Sequence, residues 1–172
     1  FSGLPIHVVL RRILAECTTA DEAERIVRAE RYCASTAITV ADADGMRTFE
    51  VSPQGVSTLS GEGSICHTNH FLSGIDPAVD TIARDGAGSA KRLDEVGAVL
   101  RRRGGVDISR MKAVLRSHLG GTASVCNHEL DAPAWVDKQQ TMASVIIRPR
   151  AGVIEITDGP PCGAEYVAHK LP

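Results

Sequence analysis

Turn signals at Asp44-Gly45 and at Pro53-Gln-Gly55 separate three short β-leaning runs, and this spacing predicts an antiparallel meander. The runs are Thr36 to Ala41, Arg47 to Val51 and Val56 to Leu59. The connections between them are too short to hold a crossover helix, so a βαβ arrangement does not fit this stretch. Strands joined this closely must pair with their neighbours, and the pleat then sends alternate side chains to opposite faces.

Helical periodicity lies on both sides of the meander. Ile6, Val9, Leu10, Ile13 and Leu14 recur at helical spacing, and Pro5 suits a first turn. Thr19-Ala-Asp-Glu22 matches a capping box and opens a second helix through about Ala29, with Ala23, Ile26 and Val27 inward. Residues 72–88, rich in Gly, Asp and Ser, read as a loop. Ser89 is then expected to cap a helix whose inner face holds Leu93, Val96 and Leu100. Asp107 is expected to cap another, with Ile108, Met111 and Leu115 inward. Gly104-Gly105 and Gly120-Gly121 are the expected stops. Met142 to Arg148 and Val153 to Thr157 are the closing strands, flanking a turn at Pro149 to Gly152, and Asp158-Gly-Pro-Pro161 closes that hairpin. Helices, strands, helices and strands in blocks define an α+β chain with layered sheets.

Composition narrows the function classes. A chain of 172 residues with 43% apolar and 23% charged content is ordinary for a globular domain. Aromatics make up 3%, too few for stacking platforms, and the net charge of −2 leaves no basic stripe for nucleic acid. Arg101-Arg102-Arg103 fits a helix C-terminus, where cations meet the dipole. No run is apolar and long enough to span a membrane. Five scattered cysteines favour reduced thiols, and a cytoplasmic location is expected. Phe1 leads directly into a helix, so the expectation is a segment of a longer polypeptide.

One run breaks the hydrophobic pattern. Gly63-Ser-Ile-Cys-His-Thr-Asn-His-Phe71 reads as a strand, yet Cys66, His67, Thr68, Asn69 and His70 stand side by side in it. As a strand it would place His67, Asn69 and Phe71 on one face and Cys66, Thr68 and His70 on the other. Burying that many polar groups costs free energy unless each finds a partner. The run is therefore either a site or a densely hydrogen-bonded structural element.

Six segments follow one another in an order that carries a resemblance. They are Pro5 to Leu14, Thr39 to Gly45, Cys66-His-Thr-Asn-His-Phe71, Ser124-Val-Cys-Asn-His128, Thr141 to Ile146 and Asp158-Gly-Pro-Pro-Cys162. Together the chain resembles the acyl-coenzyme A:6-aminopenicillanic acid acyltransferase family of N-terminal-nucleophile (Ntn) amidohydrolases. The resemblance implies a four-layer αββα sandwich, incomplete in this chain, with residues 1–172 as the C-terminal part of a single such domain. It also implies a self-processed precursor in which a new N-terminal cysteine attacks an amide or thioester. None of Cys17, Cys33, Cys66, Cys126 and Cys162 begins the chain, so the nucleophile is expected upstream.

The same resemblance assigns the catalytic oxyanion-hole donor to Asn69, whose carboxamide can donate to a developing tetrahedral oxyanion. A buried Asn bridging backbone groups is the structural alternative. His67 has two readings, an acyl-pocket or amide-orienting group and a satisfied core histidine. Phe71 joins it as a substrate-binding candidate. Arg92 is a candidate for holding a carboxylate or the diphosphate of coenzyme A, and a solvated arginine is its alternative. Ser144 fits both a hydrogen bond near the site and a core strand. No cofactor is required, and coenzyme A is a candidate acyl donor. The expected partners are a small amide or acyl-thioester and the N-terminal part of the same precursor.

Two other classes compete. Cys66, His67, His70, Cys126 and His128 offer ligands in two short clusters, but neither contains the Cys-x₂₋₄-Cys knuckle of structural zinc sites. A non-catalytic relative that binds an amide or acyl ligand is the second. Gly61-Glu-Gly63 and Gly120-Gly-Thr122 lack the strand–loop–helix context and the Lys of a P-loop, so they read as turns.

Overall fold

The computed structural model describes residues 3–61, 63–74, 87–101, 105–129 and 139–171, which fall into two compact units, Phe1–Asp85 and Gly86–Pro172. Most of the 72–88 loop, with Arg102, Arg103 and Gly104, lies outside the described residues.

In the first unit, helices α1 (Ile6–Glu16) and α2 (Ala20–Ala29) precede the antiparallel meander β1 (Thr36–Ala41), β2 (Met46–Ser52) and β3 (Gly55–Leu59). The α2 start follows its sequence signal. The Thr19 hydroxyl accepts from the Glu22 amide at 3.2 Å, and the Glu22 carboxylate accepts from the Thr19 amide at 3.3 Å. Pro5 sits one position earlier than expected, as the N-cap of α1. Val9, Ile13, Ala23, Val27, Tyr32, Ile38, Phe49 and Val51 form one buried cluster between the helices and the sheet. Complete burial of Phe49 and Val51 contributes about 1.5–3 kcal/mol each. Leu14, counted on the inner face of α1 by periodicity, is 80% exposed.

The hairpin falls at Asp44-Gly45 as expected, but its mechanism is different. Gly45 is not in the left-handed region, and the loop is closed by Asp42. One Asp42 oxygen accepts from the amides of Asp44 and Gly45 at 2.8 and 3.0 Å, and the other accepts from Ala20 N at 2.7 Å. These bonds, that from Ala20 foremost, hold the carboxyl below its usual range. Gly3 is fixed by crowding, since a Cβ there would lie 2.5 Å from the Tyr32 carbonyl carbon.

The second unit contains α3 (Ala87–Leu100), α4 (Ile108–Leu115), the short pair β4 (His128–Glu129) and β5 (Gln139–Gln140), and the antiparallel sheet β6 (Val145–Arg148), β7 (Val153–Thr157) and β8 (Tyr166–Lys170). Asp107 caps α4 as predicted, accepting from Arg110 N at 2.7 Å. Ser89 is not a cap: α3 begins at Ala87, and Ser89 is buried within its first turn. Helix α4 ends at Leu115, ahead of Gly120-Gly121, and Gly121 opens a separate 3₁₀ turn through Ala123. Strand β6 starts at Val145 rather than Met142. The Thr157 hydroxyl accepts from Ser144 N at 2.8 Å, which replaces a ladder bond at that point. Among the described residues no helix is long and apolar enough to cross a membrane.

Candidate functional site

The polar run is not a strand. Residues 63–74 follow an irregular path, and Ser64 to Phe71 joins no described ladder. The run and the residues that follow it are tied instead to a buried side chain of β2, Glu50. Every residue of β2 from Thr48 to Ser52 is buried, so this strand is covered on both faces. Phe49 and Val51 point to the helices, and Glu50 belongs to the opposite face with Thr48 and Ser52. Its carboxylate accepts from His67 Nε2 at 2.8 Å, from Leu72 N at 2.5 Å and from Ser73 N at 2.9 Å. The amides of Leu72 and Ser73, just past the run, are thereby satisfied by a side chain rather than by a strand partner.

The charge state of Glu50 follows from these contacts. Burial pushes the carboxyl up, but the bonds from Ser73, Leu72 and His67 outweigh it and hold Glu50 below the usual carboxylate range. An ionised carboxylate only accepts, so His67 must carry its proton on Nε2. These charge-assisted bonds, at about 1.5–3 kcal/mol each, offset the several kcal/mol cost of burying the ion. The result is a carboxylate anchor that pins the loop at both ends of Thr68–Phe71.

The side chains do not alternate as a strand requires. His67 and Phe71 are half-buried, whereas Asn69 between them is exposed. The common face expected for the three therefore does not exist. Asn69 and Phe71 both have interaction partners. The Thr68 hydroxyl and His70 Nδ1 lie 3.3 Å apart within the same loop. Burial pushes the Cys66 thiol up, which makes it a poor nucleophile at neutral pH.

The remaining sequence candidates lie in the second unit. Arg92 is half-buried on α3 beside Gly88, which packs on Ala123. Ser144 is buried, accepts from the Tyr166 hydroxyl at 2.7 Å, and its carbonyl accepts from Thr157 N at 3.0 Å. Those bonds place it in the internal wiring of the β6–β8 sheet.

A second chemical cluster occupies this unit. Cys126 Sγ and His128 Nε2 are 3.3 Å apart, and Cys162 Sγ is 3.1 Å from the same nitrogen. The His118 ring meets that of His128 edge-on at 5.1 Å between centroids. Burial, first, and the neighbouring Cys162 push the Cys126 thiol up, although the Cys162 amide and the Thr141 hydroxyl donate to it. Sequence reasoning paired Cys126 with His128 but missed His118 and Cys162, and it missed Glu50 altogether. A charged residue amid Thr-Phe-Glu-Val-Ser was the available signal for Glu50.

An α+β protein with a carboxylate-anchored His-Thr-Asn-His loop is the class that fold and site define. The chain belongs to the acyl-coenzyme A:6-aminopenicillanic acid acyl-transferase family, whose sequence model matches residues 1–161. Among curated proteins no match was found.

Proposed function

We propose that this chain is the oxyanion-stabilising part of an Ntn-type cysteine acyltransferase or amidohydrolase, completed by a segment upstream that supplies the nucleophile. In this reading the chain is part of a four-layer αββα sandwich, and self-cleavage of a precursor frees the cysteine. Its α-amine, which titrates near about 7.7–8.0, takes the thiol proton. The thiolate attacks the carbonyl of a linear amide or of a thioester such as acyl-coenzyme A. Asn69 donates its carboxamide N–H to the oxyanion, the α-ammonium returns the proton to the leaving amine or thiol, and a thioester acyl-enzyme remains. Water or an amine then takes the acyl group. His67, Phe71, Arg92 and Ser144 are the proposed substrate-side residues, His67 acting through its bond to Glu50.

The observation that carries this reading is the Glu50 anchor. An oxyanion donor is effective when it is held in place before the charge develops. Glu50 restrains the chain on both sides of Asn69, at His67 and at Leu72–Ser73.

The test uses the longer protein containing the upstream cysteine, in single turnover with an activated thioester. Asn69→Ala is expected to slow acyl-enzyme formation by about 10²–10³ with little change in substrate affinity. Wild-type acylation by a folded, processed Asn69→Ala protein overturns the assignment. Mass spectrometry of the precursor checks processing, where two associated chains are expected. Ligand binding without any acyl-enzyme would instead mark a non-catalytic amide-binding relative.

A further inference from the structure

We propose that His118, Cys126, His128 and Cys162 form a closed Cys₂His₂ site for one structural zinc ion in the second unit. Their ligand atoms all lie within 4.8 Å of one another. A tetrahedral zinc with bonds of about 2.3 Å to sulfur and about 2.0–2.1 Å to nitrogen places its ligand atoms about 3.3–3.8 Å apart. The two sulfur-to-His128 separations, 3.3 and 3.1 Å, are already at that scale. Only a small inward shift of the other pairs is required.

The ligands converge because separate elements are held around them. His118 follows the end of α4, Cys126 and His128 lead into β4, and Cys162 sits in the turn between β7 and β8. Cys126 N donates to Ser117 O at 2.9 Å, which ties the first two segments together. Arg116 donates through Nε to Pro161 O at 2.7 Å, which sets the Cys162 turn against the end of α4. Asn127 N donates to the Thr141 hydroxyl at 2.9 Å and fixes the approach to β4. Each ligand is thus placed by bonds of its neighbours rather than by chance exposure.

Donor chemistry selects the metal. Two thiolates and two imidazoles suit zinc, and magnesium or calcium would require oxygen ligands. With all four positions filled by protein, no place is left for water or substrate, so the role is structural. The unit also has a physical use for such a staple. Its described buried side chains are mainly Ser89, Ser124, Cys126, Ser144, Glu155, Thr157 and Pro161, with Ile146 the single large aliphatic among them. A small apolar core of this kind is where a metal contributes most to folding.

The experiment uses the 172-residue chain, reduced, stripped with a chelator and titrated with zinc or cobalt(II). One ion per chain is expected, with release of about two thiol protons. Cobalt should give the intense visible bands of tetrahedral geometry together with thiolate charge transfer. Cys162 and His118 are exposed, so Cys162→Ser and His118→Ala should fold, and each should weaken zinc binding by more than about 100-fold, beyond what outer partners contribute. Cys66→Ser should bind as the parent does. Substoichiometric zinc, an octahedral cobalt spectrum, or parent-like affinity in Cys162→Ser overturns the site. The cobalt spectrum decides the question on the parent chain even where a variant unfolds.

Discussion

The two units solve the same problem of ordering a short chain in opposite ways. The first gathers Val9, Ile13, Val27, Ile38, Phe49 and Val51 into one apolar cluster and allows a single charge, Glu50, on the far face of its central strand. The second turns Val145, Ile147, Ile156 and Val167 outward and buries hydroxyls, a thiol and an ion pair instead. There Lys112 bonds Glu155 directly and Arg148 approaches it at 3.4 Å, which holds the Glu155 carboxyl below its usual range. Apolar burial is non-directional and tolerates repacking, whereas polar wiring holds only while every partner is present. The first unit should therefore yield gradually to core substitutions, and the second abruptly to the loss of one partner.

The sharpest way to break this comparison is to attack the buried carboxylate of the apolar unit. Glu50→Ala strips a buried acceptor from His67, Leu72 and Ser73 and should destabilise the first unit by about 3–5 kcal/mol. Amide hydrogen exchange at Leu72 and Ser73 should rise with it. Slow exchange and an unchanged melt would mean that the loop holds itself.

A matched pair comes next. Ile38→Ala in the first unit should cost about 2–5 kcal/mol, while Ile147→Ala, at a side chain 58% exposed, should stay within about 0.5 kcal/mol. Chemical denaturation measures both. Equal costs would show that the outer face of β6 is covered in solution and that the two units do not differ in this way.

Tyr32 provides a pH handle on one unit alone. Its hydroxyl donates to Val27 O at 2.8 Å, and burial, then Glu30, pushes its pKa from 10.0 to about 12. The folded state keeps the proton longer than the unfolded one, so this stability is complete below about pH 10 and lost as pH rises toward about 12. An alkaline melt followed by exchange should show the first unit opening before the second, and Tyr32→Phe should flatten that dependence. The smallest effect is expected at the α2 cap, where Thr19→Ala should cost about 0.5–2 kcal/mol in a thermal melt.

What the sequence revealed, and what it concealed, follows the range of each interaction. The Thr19 cap, the Asp107 cap and the Pro149–Gly152 turn are set by neighbours a few residues away, and all were legible. The run at Ser64–Phe71 has the composition of a polar strand, yet it joins no described ladder and is tied instead to Glu50, distant in sequence, through the His67 ring and the amides of Leu72 and Ser73 that follow it. Leu14 kept helical period yet faces solvent, since period alone does not say which side of a stripe finds a partner. Strand β8 went unseen because Tyr166–Lys170 is mostly exposed and pairs along one edge only. His70 and Cys66 looked like ligands because they are adjacent in sequence, whereas Cys162 reaches His128 across thirty-four residues.

Asp42 has one further consequence, for where this polypeptide can be cut or extended. The same carboxylate terminates the β1–β2 connection and the start of α2, so neither can open without releasing the other. Lengthening the 42–45 loop would displace the carboxylate from Ala20 and unseat a helix as well as a hairpin. The Pro53-Gln54 turn carries no such duty: both residues are exposed, and the bond from Gln54 N to the Ser52 hydroxyl stays within the turn. A tag or a circular permutation point placed at Gln54 should leave the meander intact, while the same insertion beside Asp44 should not.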